Sequence, residues 1–167
     1  MPTWTDVTLI KSPLVRSLHT WWLSNRGPSG LPDRASFDPT AHRELLPHMM
    51  ILDLETEPFR VRYRLAGTKV TEITGFEFTG RYLDELLGPN ATEPWLEHYA
   101  AVAQSNAPLL GTVAERTNHG GQFTYEFGIF PLAQGGAEVK QFLSIEDYFG
   151  TSLVGASLQP WPPPKSQ

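Results

Sequence analysis

The sequence predicts an α+β fold in which one antiparallel sheet carries helices on one face and an amphipathic helix precedes it. Three observations lead there. Residues 59 to 65 alternate, Phe59, Val61, Tyr63 and Leu65 falling on one side of a strand and Arg60, Arg62 and Arg64 on the other. From Thr68 the spacing becomes helical, with Val70 and Ile73 three residues apart and Gly75 and Gly80 placed to end short helices. After a longer helical stretch, three apolar segments separated by Asn/Gly-rich and Gly-rich turns read as a β-meander.

In chain order, Ser12-Pro13 has the form of an N-cap followed by proline at the first helical position. Leu14, Val15, Leu18, Trp21, Trp22 and Asn25 then share one helical side, with Arg16, Ser17, Thr20 and Ser24 on the other. A helix that buries two tryptophans, each bringing roughly 150–250 Å² of aromatic surface, must dock on something large. Two docks fit and are compatible: the outer face of the chain's own sheet, and the same helix of a second subunit, in which case Leu14, Leu18, Trp21 and Trp22 form a homodimer contact.

Arg26 to Pro39 reads as an ordered connection without a period of its own, followed by a short helix from Thr40 to Leu46 that Pro47 ends. His48 to Glu55 is a strand, and Thr56-Glu57-Pro58 turns it back into the Phe59 strand, so that Met50, Leu52 and Leu54 join Val61, Tyr63 and Leu65 on the inner face. Tyr82 to Leu87 makes a further helical turn. Asn90 to Ser105 forms the longer helix, whose apolar side holds Trp95, Leu96, Tyr99, Val102 and Ala103.

The last strands are Leu109 to Thr117, Gln122 to Leu132 and Glu138 to Tyr148. Turns centred on His119-Gly120 and Gly135-Gly136 place Thr112, Ala114, Arg116, Phe123, Tyr125, Phe127, Phe142, Ser144 and Tyr148 on one face. Gly111, Val113, Glu126, Gly128, Phe130, Leu143 and Ile145 take the other. Both faces are partly apolar, so pattern alone does not say which is inward.

Composition excludes several functions. With 167 residues the chain is long enough for one domain with a core of its own, and with no cysteine it has no disulfide, thiolate metal site or cysteine nucleophile. A formal net charge of −5 with interspersed bases argues against nucleic acid as a partner. The N-terminal residues lack the pattern of a secretory signal, and no apolar run nears the ~20 residues of a membrane span. The expectation is a cytoplasmic protein that does not engage a membrane.

His19, His42, His48, His98 and His119 show no metal-ligand spacing, so no metal site is expected. No hydrolase, nucleotide-binding or zinc-protease motif is present. The acid pairs Asp84/Glu85 and Glu93/Glu97 read as solvated helix faces.

The run Tyr63-Arg64-Leu65-Ala66-Gly67-Thr68, then Gly75-Phe76, Thr79-Gly80-Arg81 and Leu83, resembles the second strand and first helices of a PAS domain. The chain is similar in form to the small stand-alone bacterial PAS proteins, which carry an N-terminal helix before a single such domain. The flanking elements come in PAS order. That resemblance implies a five-stranded antiparallel sheet packed by its inner face on the helices, and a division into 1–46 (helix and connection), 47–149 (PAS domain) and 150–167 (Pro-rich tail).

The resemblance also implies a cavity between the sheet and the long helix. With the aromatic face inward, Tyr63, Trp95, Tyr99, Arg116 and Tyr125 line a pocket whose cationic end suits a carboxylate or phosphate; the alternative is a filled aromatic core with Arg116 at its rim. Of the family's cofactors, haem is disfavoured because His98 lies off the apolar side of its helix, and flavin because the light-sensing subfamily's reactive cysteine is missing. An unidentified small organic ligand remains.

The function implied is a non-enzymatic sensory or signal-transduction module. No kinase, cyclase or DNA-binding helix pair accompanies it, so a signal is expected to leave through contact with a partner protein. A reading from another class is a cone-shaped α+β enzyme of the steroid-isomerase or dehydratase type, with Glu126 or Glu146 as base and Tyr125 as donor.

Overall fold

The computed structural model describes residues 2–116 and 122–149, without side-chain detail for residues 89–91, 115, 116, 122 and 123. The Asn118–Gly121 turn and the Pro-rich tail lie outside the described residues. The strands are β1 (Thr3–Trp4), β2 (Met49–Thr56), β3 (Phe59–Ala66), β4 (Leu109–Arg116), β5 (Gln122–Ala133) and β6 (Val139–Phe149). They form one antiparallel sheet in the order β1-β4-β5-β6-β2-β3. The sheet has six strands where five were expected, because Thr3 and Trp4 add a two-residue edge strand beside Leu110 and Gly111. The helices are α1 (Pro13–Ser24), α2 (Thr68–Thr74), α3 (Leu83–Leu86) and α4 (Pro89–Ser105).

The two sheet faces are covered by different elements. On the inner face Tyr125 stands opposite Tyr148, Phe127 opposite Glu146, Ile129 opposite Ser144, and Leu52 between Phe142 and Tyr63. Helices α2, α3 and α4 pack here, burying Val70, Ile73, Leu83, Leu86, Tyr99 and Val102. In the β2–β3 hairpin Leu54 pairs with Val61, keeping them on one face as expected, but a one-residue bulge at Arg64 pairs Ile51 with Leu65. Because strand faces alternate, the extra residue turns Leu65 off the inner face and leaves it 54% exposed.

The β4–β5 register departs in the same way. Leu109 pairs with Ile129 and Arg116 with Gln122, one residue off the pairing that a turn centred on His119-Gly120 requires. That step exchanges the faces of β4: Gly111 and Val113 stand opposite Phe127 and Tyr125, whereas Thr112 and Ala114 stand opposite Glu126 and Thr124. Gly111 is needed there, since a Cβ would meet the Phe127 ring at 2.5 Å.

Helix α1 docks on the outer face of its own sheet. Val15, Leu18, Trp21 and Trp22 are buried and Leu14 partly so; Trp22 Nε1 donates to the Pro131 carbonyl at 2.8 Å, and Trp21 meets Phe37 edge-on at 5.0 Å. Ser12 caps the helix by accepting from Val15 N–H at 3.1 Å, and its hydroxyl donates to Asp147 Oδ2 at 2.7 Å. Glu126, buried on this face, accepts the backbone N–H groups of Lys11 (2.8 Å) and Ser12 (2.6 Å) through Oε2. This carboxylate anchors the chain at the helix entry. Glu126→Ala is expected to lower stability by about 2–3 kcal/mol, the scale of hydrogen bonds to a charged acceptor whose partners are left buried; urea denaturation measures it.

The connection into β2 is ordered by side-chain caps rather than by a helix over Thr40 to Leu46. Asp33 and Asp38 accept from Ala35 and Thr40 N–H, and the segments 39–42 and 46–48 close as separate 3-10 turns, the second containing Pro47. Leu31, Phe37 and Leu45 pin this segment to the core.

Gly67 marks where β3 becomes α2. A Cβ there would lie 2.3 Å from the Pro47 carbonyl oxygen and 2.4 Å from that of Leu46. Gly67→Ala therefore forces two backbone segments apart, and we expect a loss of about 1–3 kcal/mol, as for overpacking elsewhere, readable as a drop in the thermal midpoint.

The Arg60 to Arg64 row is largely engaged locally. Arg60 makes a two-point pair with Asp84 (3.0 and 2.7 Å) and lies 3.5 Å above the Tyr82 ring, while Arg64 reaches Asp53. Exposed pairs of this kind contribute little stability.

Candidate functional site

A cavity of ≈ 70 Å³ lies between the inner sheet face and the helices. The sheet supplies Met50, Tyr63, Tyr125, Glu146 and Tyr148; α2 and the segment after it supply Thr74, Phe76 and Phe78; Leu87, Trp95 and Tyr99 close the remaining side. Gly75, left-handed at φ 73°, ends α2 and turns Phe76 and Phe78 back over the sheet, where Phe78 meets Tyr63 at 4.9 Å.

Polar groups in this aromatic enclosure are tied to one another. Tyr99 Oη pairs with Ser144 Oγ at 3.0 Å, and its ring sits edge-on to Phe142. The Tyr148 hydroxyl donates to Glu146 Oε2, and the Tyr148 and Tyr125 rings lie 5.1 Å apart. Burial pushes the Glu146 carboxyl up to about 7, against the smaller lowering effect of the Tyr148 bond. Burial also raises the Tyr63, Tyr99 and Tyr148 hydroxyls, with the Glu146 charge acting in the same direction. Near neutral pH the site thus holds one carboxyl poised between its two protonation states among phenols that stay protonated.

Of the five pocket residues singled out by sequence, Tyr63, Trp95, Tyr99 and Tyr125 line this cavity. Arg116 pairs through its backbone with Gln122, out of register with Tyr125, and its side chain lies outside the described residues. Among the described residues, the carboxyl of Glu146 is the acidic group that lines the cavity. Glu146 was visible in principle: it shares strand parity with Phe142, Ser144 and Tyr148. Glu126, the other candidate base, faces outward and holds the α1 entry.

His98 is not among the residues lining the cavity; its ring is stacked on Phe127 (6.3 Å) and edge-on to Trp95 (5.8 Å). Flavin does not fit this cavity either. Its volume is well below the ~300–1,000 Å³ of sites for drug-sized ligands, and the Phe76, Phe78 and Trp95 rings line the space; the lack of cysteine separately removes a cysteinyl adduct. Among the described residues there is no group of three potential metal ligands, and no helix is long and apolar enough to cross a membrane.

A sequence model for the PAS domain matches residues 10–145. The chain belongs to the PAS domain family. The match takes in α1 to α4, strands β2 to β5 and β6 as far as Ile145; β1 and residues 146–149 of β6 lie outside it. A light-oxygen-voltage domain studied with a flavin analogue shares the fold at a TM-score of 0.50 and 18% identity, over 66% of this chain and 83% of that one. The PAS domain of a Colwellia psychrerythraea protein gives a TM-score of 0.46 at 13% identity, over 67% and 98% of the two chains. The LOV domain of a blue-light-activated histidine kinase from Erythrobacter litoralis gives 0.44 at 18% identity, over 62% and 96%. No curated protein is a significant match to the chain. The PAS fold is that of a signal-sensing module, and the order of strands and helices rules out the cone-shaped isomerase architecture, which puts its long helices before the sheet.

Proposed function

We propose that this PAS domain is a non-enzymatic sensor that binds a small molecule in the Glu146 cavity and passes its state to a partner protein. The observation that carries this reading is a carboxyl held near its titration point inside an aromatic enclosure, at the interface between the sheet and the helices. A half-buried carboxyl that burial holds above its ordinary range, with no salt bridge among the described residues, is costly to keep ionised, and such groups gather at functional sites. Glu146 and Asp147 are neighbours on β6, one facing the cavity and the other bound to the α1 cap through Ser12, so occupancy of the cavity and the seating of α1 share one strand. A ligand that favours one seating of α1 shifts the population in that direction.

Native mass spectrometry of the full chain tests the binding part. A small molecule retained by the wild type and lost on filling the cavity with Thr74→Trp supports it. A wild type that retains nothing and whose spectra do not respond to a small-molecule library would end it.

One observation favours a second reading. A carboxyl near pH 7 beside phenolic donors has the makings of an acid–base pair that exchanges protons next to a carbonyl. Deuterium incorporation from solvent into small ketones, dependent on Glu146, would support catalysis over sensing. The same rate with wild type and Glu146→Gln would dispose of it.

A further inference from the structure

We propose that the cavity selects a small organic cation, of the methylated-ammonium class, with Glu146 as its counter-charge and the surrounding rings as its cage. This rests on the reading of the cavity as a ligand site and adds the chemical class. Four features of the enclosure point the same way.

Charge comes first. Glu146 forms no ion pair with a Lys, Arg or His among the described residues; the partner on its carboxylate is the neutral Tyr148 hydroxyl. His48 approaches from the outer side, where its Nδ1 contacts the Glu146 carbonyl oxygen at 2.9 Å rather than the carboxylate. An anionic ligand would meet this carboxyl without a compensating cation among the described residues.

The second feature is the wall. Tyr63, Phe76, Phe78, Trp95, Tyr125 and Tyr148 enclose the space. Aromatic faces carry negative electrostatic potential and attract cations, and cages of such rings recognise quaternary ammonium groups.

Size is the third. At roughly 10–15 Å³ per water-sized group, ≈ 70 Å³ holds about five of them, the scale of a tetramethylated nitrogen and far short of a nucleotide or flavin.

Fourth, two of the remaining polar side chains, Tyr99 and Thr74, already have partners. Tyr99 is bonded to Ser144, and Thr74 Oγ1 donates to the Val70 carbonyl at 2.7 Å. A ligand rich in hydrogen-bonding groups would displace these bonds; a methylated cation needs none of them.

A linkage follows. Among the described residues, the titratable side chains lining the cavity with Glu146 are Tyr63 from β3, Tyr99 from α4, Tyr125 from β5 and Tyr148 from β6, while α2 and the segments after α2 and α3 add Thr74, Phe76, Phe78 and Leu87. Burial holds the Tyr63, Tyr99 and Tyr148 hydroxyls protonated, so among these groups it is Glu146 that changes charge near neutral pH. Because the cation binds the carboxylate form, affinity falls by nearly tenfold for each pH unit below about 7 and levels off above it.

The test is calorimetric titration of the full chain with tetramethylammonium, tert-butanol and pivalate, a cation, a neutral molecule and an anion of similar shape. Tetramethylammonium carries a permanent charge, so its pH dependence reports on the protein. Expected are binding of tetramethylammonium at pH 8, about tenfold weaker binding at pH 6, at least tenfold weaker binding to Glu146→Gln at pH 8, and none of pivalate.

The pH series uses the wild type and does not depend on the variant folding. Binding of tert-butanol or pivalate as tight as that of the cation, or cation binding indifferent to pH, overturns the cation assignment while leaving the cavity a ligand site. Failure of all three probes also overturns it, and the separate mass-spectrometric result then decides whether the cavity binds anything else.

Discussion

Replacing Trp21 and Trp22 together by alanine is expected to unfold the protein rather than to change its oligomeric state. Both indoles are buried against the outer sheet face and the connecting segment, Trp21 on Phe37 and Trp22 bonded to the Pro131 carbonyl. Each Trp→Ala change in a core costs about 3–5 kcal/mol. Adjacent sites need not add, but a sum of about 6–10 kcal/mol matches the whole stability of a typical domain of about 5–15 kcal/mol. The Pro131 carbonyl would also lose its donor. Circular dichroism during heating should show a lost or strongly lowered transition for the double variant, and Trp22→Phe, which keeps a ring but not the N–H, a smaller loss. A variant that keeps its thermal midpoint while its mass in solution halves would mean that these residues hold two copies together.

How far the molecule was legible follows from which residues set its geometry. The strand-to-helix switch at Gly67 and Thr68 shows in composition because its signals are local, a glycine followed by the Val70 and Ile73 spacing, although the backbone that excludes a Cβ at Gly67 comes from the distant Leu46-Pro47 segment. Ser12-Pro13 is legible as a cap for the same reason. Register is another matter. The bulge at Arg64 and the one-residue offset between β4 and β5 are set by how neighbouring strands fit, and each exchanged the faces of the residues beyond it. That offset pairs the Arg116 backbone with Gln122 rather than with Phe123.

Glu146 shows the converse. Its parity with Ser144 and Tyr148 placed it inward, but the usual preference of carboxylates for solvent obscured it, and only the packing of Phe76, Phe78 and Trp95 over β6 reveals it as the cavity's acid. Glu126, of the same residue type and on the neighbouring strand, took the opposite face and a structural task. Residue type alone could not separate the two; the sheet face does.

Glu146→Gln is expected to make the protein more stable at pH 8 and to leave it nearly unchanged at pH 4. In the folded chain the Glu146 pKa stands at about 7, above the ordinary 4.5. Below 4.5 the carboxyl is protonated both folded and unfolded, so it contributes no difference. Between 4.5 and about 7 the unfolded chain releases the proton while the folded chain retains it, and folding stability falls as pH rises. Above 7 both states are ionised and the full cost of a buried charge is present, about 3 kcal/mol at 1.36 kcal/mol per pKa unit.

Glutamine keeps the shape and an acceptor for the Tyr148 hydroxyl but carries no charge, so the variant escapes that cost. Groups such as Asp33 and Asp38, whose pKa values are lowered by backbone and side-chain hydrogen bonds, impose the opposite slope at acid pH. They are common to both proteins and cancel in the difference. Urea denaturation of the pair at pH 4, 6 and 8 should give a gap that opens with pH; a gap of constant size would show that the Glu146 carboxyl is not desolvated. The same cost gives a cation its leverage, because a positive charge placed beside the carboxylate offsets an unfavourable term already built into the empty fold.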